Sequence, residues 1–450
     1  MPVSEMRSEL NRGILSDTVR IGALTACVKL SGALKTVIVA RSFGAGDAVD
    51  AYLMAFLIPS FAGDVLAGAI APALLPILVE VKERLGSARA RDLASAVLAS
   101  ATALLLLVAL LVALLSTPAL HFFASGFALA KVRVTQTLLF WMLPILPLSA
   151  VTATFRTVLN SEEHFAMPAL APVATPVAIV AAIYMFGGTR ALAAGTLAGA
   201  LLEITLLAAA LWRFGLLVLP SWHMPSEAHR VFREYAPVAA SYLILGGSSI
   251  VDQSLAATLG SGSVSALNYG TRLVAVIVSI GSSSLGTAIL PRFSKLAAAG
   301  RWQELRSAFR SLSWRSLAVA IPVTLLLALC SQPLVRLLFQ RGAFTLSASH
   351  EVGRVQLFSL LQIPFSVLLV LVIRIVWSLK VNRLLFRLAV FSLIANIVFD
   401  LALMKWLGVA GIALSTTLVH ASSLAFLAWA LFRAKPWSVL NLQAIPVAAP

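Results

Sequence analysis

Residues 21–43 read IGALTACVKLSGALKTVIVARSF, an apolar run long enough to cross a membrane that nevertheless contains two lysines. A cation at the centre of a spanning helix costs roughly 2.5–3.5 kcal/mol on insertion scales, so it persists where it faces water or a bound group. Lys29 and Lys35 are six residues apart, which places them about 120° apart around a helix. We therefore expect both lysines to face a wet cavity that suits an anion.

The rest of the chain repeats this apolar pattern. Of 450 residues, 60% are hydrophobic and only 12% are charged, a composition that excludes a soluble domain of this size. We predict an all-α polytopic membrane protein with about twelve transmembrane helices. The expected spans lie near 21–43, 51–79, 93–116, 134–158, 166–187, 191–212, 235–257, 265–290, 316–338, 355–378, 386–404 and 409–432.

The positive charge is distributed unevenly between the loops. With the N-terminus in the cytoplasm, 23 of the 34 lysines and arginines fall on the inner side, seven on the outer side and four in or at spans. Inner loops of membrane proteins carry such an excess, so both termini are predicted to be cytoplasmic. The same distribution explains the net charge of +16 without a nucleic-acid partner, and the lipid bilayer is the expected surrounding.

An internal repeat divides the chain into halves. Phe43-Gly44-Ala45-Gly46 resembles Leu259-Gly260-Ser261-Gly262, and Leu75-Pro76 corresponds to Leu290-Pro291. Two six-helix lobes related by this repeat would have the same orientation and a cargo site between them. The expected parts are a cytoplasmic segment 1–20, an N-lobe 21–213, a cytoplasmic linker 214–234, a C-lobe 235–433 and a cytoplasmic tail 434–450.

Proline, glycine and acidic residues mark irregular positions within the spans. The cluster of prolines and glycines at 59–76 lies beside Asp64 and predicts a moving or broken helix. Glu203 lies in span six, where it is expected either to pair with a cation or sense protons, or to contact headgroups and pack.

Four blocks in order point to a known family. They are IVARSFGAG at 38–46 followed by Asp50-Ala51-Tyr52, FAMPALAP at 165–172, LGTAILP at 285–291 and LFQRGAFT at 338–345. With these blocks the chain resembles the MurJ (MviN) family of lipid flippases, in the multidrug/oligosaccharidyl-lipid/polysaccharide exporter superfamily.

The resemblance implies a flippase that moves an undecaprenyl pyrophosphate-linked glycan from the inner to the outer leaflet by alternating access. It implies a cationic cavity between the lobes. Carried across by position, the substrate-binding residues are Lys29, Lys35 and Arg272, which would contact the pyrophosphate, with Asp50 as a partner acid.

The chain departs from the family pattern at several positions. The family usually has arginine where Lys29 and Lys35 stand, and lysine lacks the bidentate fork of arginine. A family arginine falls at about Gly63 and a family acid at about Gly68, and the expected spans end before two further C-terminal helices of the family. The cargo therefore stays open between lipid II and an exopolysaccharide or O-antigen repeat unit.

A second group of polar residues suggests a cation site. Asn396 and Asp400 are four residues apart and share a face of span eleven, with Asp252 in span seven and Thr416 in span twelve. Such oxygens suit a hard cation or a proton. The resemblance implies a sodium site that also uses the carbonyl of Ile412, whereas the alternative is hydrogen bonding between helices. We expect sodium or protons as the coupling ion, no other cofactor and no other metal site.

Two other classes of protein fit less well. A MATE-type drug or cation antiporter would want a net acidic cavity, which the two lysines oppose. A membrane glycosyltransferase would show paired acids in a large outer loop, and the expected outer loops are short. We predict a transporter and not an enzyme, located in the bacterial inner membrane, with cell-envelope glycan synthesis enzymes as expected partners.

Overall fold

The computed structural model describes residues 3–379 and 381–433, and the side chains at 22–279, 289, 293–379, 381 and 383–431. The predicted tail 434–450 lies outside these residues. The described chain is helical, with a short 3-10 helix at Ala171–Val173 and eighteen α-helices: α1 Val3–Phe43, α2 Asp47–Leu66, α3 Ile70–Leu85, α4 Ser87–Leu114, α5 Ser116–Phe123, α6 Leu129–Met142, α7 Ile145–Ser161, α8 Ala166–Leu170, α9 Ala174–Phe186, α10 Gly188–Arg213, α11 Ala228–Ala257, α12 Ser263–Ala298, α13 Trp302–Leu329, α14 Ser331–Phe339, α15 Leu346–Leu360, α16 Ile363–Ser378, α17 Asn382–Leu407 and α18 Val409–Arg433.

The predicted all-α membrane class is confirmed. Ten helical segments of the described chain are long and apolar enough to cross a membrane. Helices suit this solvent because they satisfy their own backbone hydrogen bonds where water is absent. The ten segments do not include α11 and α12, which occupy the predicted seventh and eighth spans. The count of twelve and the internal repeat therefore stay predictions.

The predicted second span is a broken helix, as its prolines and glycines indicated. It divides into α2 and α3 at 67–69. At the break, the amide of Gly68 donates to the carbonyl of Gly63 at 3.2 Å. A Cβ on Gly68 would collide with the carbonyl oxygen of Asp64. The break therefore needs glycine, because the backbone of the preceding turn approaches it too closely for any side chain.

The chain divides into two compact units. Unit 1 comprises Met1–Ser265 and Leu338–Ala348, and unit 2 comprises Ala266–Leu337 and Ser349–Pro450. This division differs from the predicted lobes because α11 belongs to unit 1, where it packs against α2 and α3. The Tyr235 hydroxyl of α11 donates to the carbonyl of Leu66 at 2.8 Å. The lobe boundaries themselves remain a prediction.

Unit 1 has an apolar core, and three ion pairs tie its helices at one end. Leucines of α4, α6, α7 and α10 are fully buried at Leu93, Leu139, Leu146 and Leu192. The ion pairs join Lys82 to Glu162 at 2.8 Å, Arg230 to Glu80 at 2.8 Å and Arg89 to Glu227 at 3.0 Å. Their cations are among those predicted for the inner side, so part of that charge holds α3, α4 and α11 in place.

Unit 2 is built around α16. Leu371 and Ile375 of α16 pack with Leu305 of α13, and Val376 packs towards Leu427 of α18. Arg374 is one of the cations predicted for the inner side. It lies within α16, 4.5 Å from the ring centroid of Trp377, because its guanidinium can cover the aromatic face while its stem follows the helix.

The segment 338–348 belongs to unit 1 through backbone contacts at the end of α1. The amide of Ala343 donates to the carbonyl of Arg41 at 2.9 Å. Gly44 has a φ of +68°, and a Cβ there would lie 2.5 Å from the carbonyl oxygen of Ala343. Gly44 is therefore required twice, for its left-handed backbone and for the close approach of a second chain segment.

We expect Gly44→Ala to destabilise the protein by about 3 kcal/mol, from a left-handed alanine together with a backbone collision. Gly215→Ala is the matched control, because Gly215 has the same φ of +68° with nothing within 4 Å of an added Cβ. The control should cost only about 1 kcal/mol. Thermal unfolding of both variants in detergent tests the difference, and equal melting temperatures would refute the packing of 338–348 on α1.

Candidate functional site

The two lysines of α1 lie away from its most exposed leucines. The helix packs against α8 and α9, and Leu30 and Leu34 are 65% and 61% exposed. Lys29 is exposed and Lys35 is half-buried. By helix geometry each lysine lies roughly 100–140° around the axis from those leucines. The lysines therefore do not belong to the most apolar exposed face of α1.

Asp50 is a fully buried carboxylate with three donors around it. Its Oδ2 accepts from Lys131 Nζ at 2.9 Å and from the amide of Gly262 at 2.8 Å, and its Oδ1 accepts from the amide of Ser265 at 2.8 Å. Lys131 Nζ also lies 2.6 Å from Asp47. Asp50 thus has three partners within unit 1, and its role as a partner acid in the cargo site stays a prediction.

This carboxylate caps the start of α12. The first amides of a helix have no partner within the helix and carry partial positive charge, which a buried anion satisfies. The amides of Gly262 and Ser265 flank the first residue of α12 and both point to Asp50. Asp50 therefore fixes the start of α12 relative to α2, and Lys131 adds α6 to the same cluster.

Unit 1 also contains a cavity of about 520 Å³ beside the break between α2 and α3. Arg156 of α7 and Glu203 of α10 line it and form an ion pair. Arg156 is one of the cations predicted for the inner side, and it lies within α7, which ends at Ser161. Glu203 pairs with a cation, which is one of the two roles expected for it.

The two positions at which the resemblance implied an arginine and an acid border this cavity. Gly63 and Gly68 both line it. A Cβ on Gly63 would make an ordinary contact with Ser149 Oγ at 3.5 Å, so the position does not require glycine. The carboxylate of Asp64 and the amide of Asn160 reach the same cavity.

The residues predicted for a cation site are partly together in unit 2. Asn396 and Asp400 are 2% and 0% exposed on α17. The hydroxyl of Ser415 on α18 donates to Asp400 Oδ1, whereas Thr416 bonds back to the carbonyl of Ile412 at 3.4 Å. The sequence pattern thus named Thr416 but did not name the adjacent Ser415, whose hydroxyl contacts Asp400.

The remaining predicted site residues are divided between the units. Asp252 is half-buried on α11 of unit 1, and Arg272 is half-buried on α12 within unit 2. Whether Arg272 joins Lys29 and Lys35, and whether Asp252 joins Asp400, stay predictions. The chemistry of carboxylate, amide, hydroxyl and carbonyl oxygens on α17 and α18 fits a hard cation such as sodium.

Two solved structures share this fold. A lipid II flippase MurJ in an inward closed conformation matches with a TM-score of 0.80 and 20% identity over 93% of this chain and 87% of the other. An inward-facing MATE family multidrug transporter of the MOP superfamily matches with a TM-score of 0.73 and 13% identity over 94% and 100%. At these identities the matches show a common fold.

The sequence comparisons identify the family. Residues 39–448 match the sequence profile described as lipid II flippase MurJ, and the chain belongs to this family. Its relatives include a probable lipid II flippase MurJ of Buchnera aphidicola, 25% identical over 96% of this chain and 85% of the relative. A lipid II flippase MurJ of Burkholderia cenocepacia is 29% identical over 74% and 67%.

Asp50→Asn should destabilise the protein by about 3 kcal/mol. Both carboxylate oxygens of Asp50 accept hydrogen bonds, so either orientation of the Asn amide turns its NH₂ group towards a donor. The substitution also removes the buried ion pair with Lys131. Asp47→Asn is the control. Asp47 contacts the same lysine, but its side chain is 64% exposed, so we expect a loss of at most about 1 kcal/mol. Thermal unfolding compares the two, and an equal loss would contradict the capping role of Asp50.

Proposed function

We propose that this protein is a flippase that moves an undecaprenyl pyrophosphate-linked glycan from the inner to the outer leaflet by alternating access. The observation that carries the proposal is the family match, which spans residues 39–448. The cargo would be lipid II, the substrate in the names of the relatives, or a related lipid-linked oligosaccharide. The protein acts as a transporter and not as an enzyme.

The charges on α1 support an anionic cargo. Lys29 and Lys35 lie in a candidate membrane span, Gly22–Phe43, where a cation is costly unless it faces water or a bound group. Both charges would attract a pyrophosphate, and we propose Arg272 as a third contact. A drug or cation antiporter gains nothing from such lysines, so the flippase is favoured over a MATE-type function despite the shared fold.

The departures from the family pattern support a relative of lipid II as the alternative cargo. Gly63 leaves space in the unit 1 cavity where the resemblance implies an arginine, and Gly68 stands where it implies an acid. An exopolysaccharide or O-antigen repeat-unit flippase would share the pyrophosphate and differ in the sugars. The location would be the bacterial inner membrane with both termini in the cytoplasm, close to cell-envelope glycan synthesis enzymes.

We further propose sodium as the coupling ion, with a proton as the alternative. Asn396, Asp400, Thr416 and the carbonyl of Ile412 would supply oxygen ligands in unit 2, with Asp252 from α11. Support comes from the burial of Asn396 and Asp400 on one face of α17, since buried ionisable groups in membrane spans are usually functional.

The lysines should act by charge. Replacing Lys29 and Lys35 together by Arg should preserve transport of a fluorescent undecaprenyl pyrophosphate-linked sugar in proteoliposomes, because Arg keeps the charge. Replacing both by Gln should lower transport by at least about tenfold, since charge-assisted contacts with phosphate are lost. Arg272→Ala should abolish transport while thermal unfolding stays unchanged.

A neutral glycolipid provides the comparison for these variants. It should be transported poorly by the wild-type protein and be insensitive to the Gln substitutions. Equal transport of the neutral and the pyrophosphate lipid, or wild-type transport by the Gln double variant, would contradict the proposed anionic cargo.

Sodium coupling predicts a dependence on Asp400. Asp400→Asn should remove any stimulation of transport by a sodium gradient, because the amide lacks the charge that holds a cation. Ser423→Ala is the control: Ser423 joins α18 to Ser392 of α17 at 2.8 Å, in the same helix pair but outside the proposed ligand set. Transport that is independent of both sodium and pH in the wild-type protein would refute the ion site.

A further inference from the structure

The cavity of unit 1 has a charge that does not match a pyrophosphate. Its lining contains one guanidinium, Arg156, and two carboxylates, Asp64 and Glu203. The guanidinium is already paired with Glu203, so the lining has a net negative formal charge. Like-charge repulsion would therefore disfavour a group with two phosphates there.

The same cavity offers hydrogen-bonding groups that are not used within the protein. Among the residues that the structure describes, the side chains of Asp64 and Asn160 have no hydrogen-bond or ion-pair partner. The carboxylate accepts hydrogen bonds, and the amide both donates and accepts. The ring of Phe56 adds an apolar surface to the lining. A polyhydroxylated group has the hydroxyls and the apolar faces that this combination recognises.

The size of the cavity also fits a sugar. Its volume of about 520 Å³ lies within the range of roughly 300–1,000 Å³ that is typical of small-molecule sites. An apolar occupant would leave the side chains of Asp64 and Asn160 without partners. A lone cation would engage Asp64 but would leave the donors of Asn160 unused. An uncharged carbohydrate satisfies both kinds of group.

We propose that the cavity beside the α2–α3 break, lined by Asp64, Asn160 and the Arg156–Glu203 pair, binds the uncharged sugar of the cargo separately from its pyrophosphate. This inference rests on the proposed flippase function and deepens it. Sugar and phosphate are then recognised by different parts of unit 1, the phosphate by the lysines of α1 and the sugar by the cavity.

The test compares two probes on the full-length protein in nanodiscs: undecaprenyl pyrophosphate, and undecaprenyl pyrophosphate that carries a disaccharide. Dissociation constants are measured for the wild type, Asp64→Ala and Asn160→Ala. We expect each variant to weaken binding of the disaccharide lipid by about tenfold, because each removes one good hydrogen bond between the protein and the sugar. Binding of the bare pyrophosphate lipid should stay within about twofold of the wild type.

Asp92→Ala is the matched control, because Asp92 is an exposed carboxylate of unit 1 that does not line the cavity. It should leave both dissociation constants unchanged. An equal loss of affinity for both lipids in the cavity variants would overturn the sugar site in favour of a phosphate site. No loss for either lipid would also overturn it. If the wild type binds neither lipid, the proposed function itself fails, which is a distinguishable result.

A second measurement does not depend on the folding of those variants. With Cys27 and Cys330 replaced by Ser, Ala153→Cys places a single thiol in the cavity lining. The disaccharide lipid should slow its reaction with a maleimide more than the bare lipid does. Equal protection by the two lipids would contradict the proposal.

Discussion

Pairing of buried charge is the constraint on which unit 1 depends. An ionised group in an apolar surrounding costs several kcal/mol unless a partner compensates it. Among the side chains of unit 1 that the structure describes, two carboxylates are buried, and each has a cation: Lys131 for Asp50 and Arg156 for Glu203. Each pair joins helices that are distant in sequence. The pairs therefore determine which helices are neighbours. Apolar contacts alone do not select neighbours, because lipid tails are as apolar as leucine side chains.

The helical class and the break in the second span follow from the sequence because both depend on local features. Apolar length defines a span, and glycine with proline marks the break at Gly68. The partners of Asp50 and Glu203 could not be predicted in this way. They lie 81 and 47 residues away, and a helical period indicates which face a residue occupies but not which helix lies opposite it.

The same limitation applies to Arg156 and Arg374. Their positions near the ends of apolar runs predict only the inner side of the membrane. In the structure Arg156 pairs with Glu203 of another helix, and Arg374 lies over the ring of Trp377 on its own helix. In the predicted cation site the sequence named Thr416 on α18, whereas the hydroxyl that contacts Asp400 belongs to the adjacent Ser415, about 100° away around the helix.

The membership of segment 338–348 in unit 1 has a consequence for the order of synthesis. The chain passes between units at 265–266, at 337–338 and at 348–349. The turn at Gly342 and Ala343, which meets the end of α1, is thus made only after a first part of unit 2 has left the ribosome. Domains usually fold from the N-terminus as they emerge. Here unit 1 must wait for residue 348, so a fragment that ends at 265 would lack a piece of its own structure.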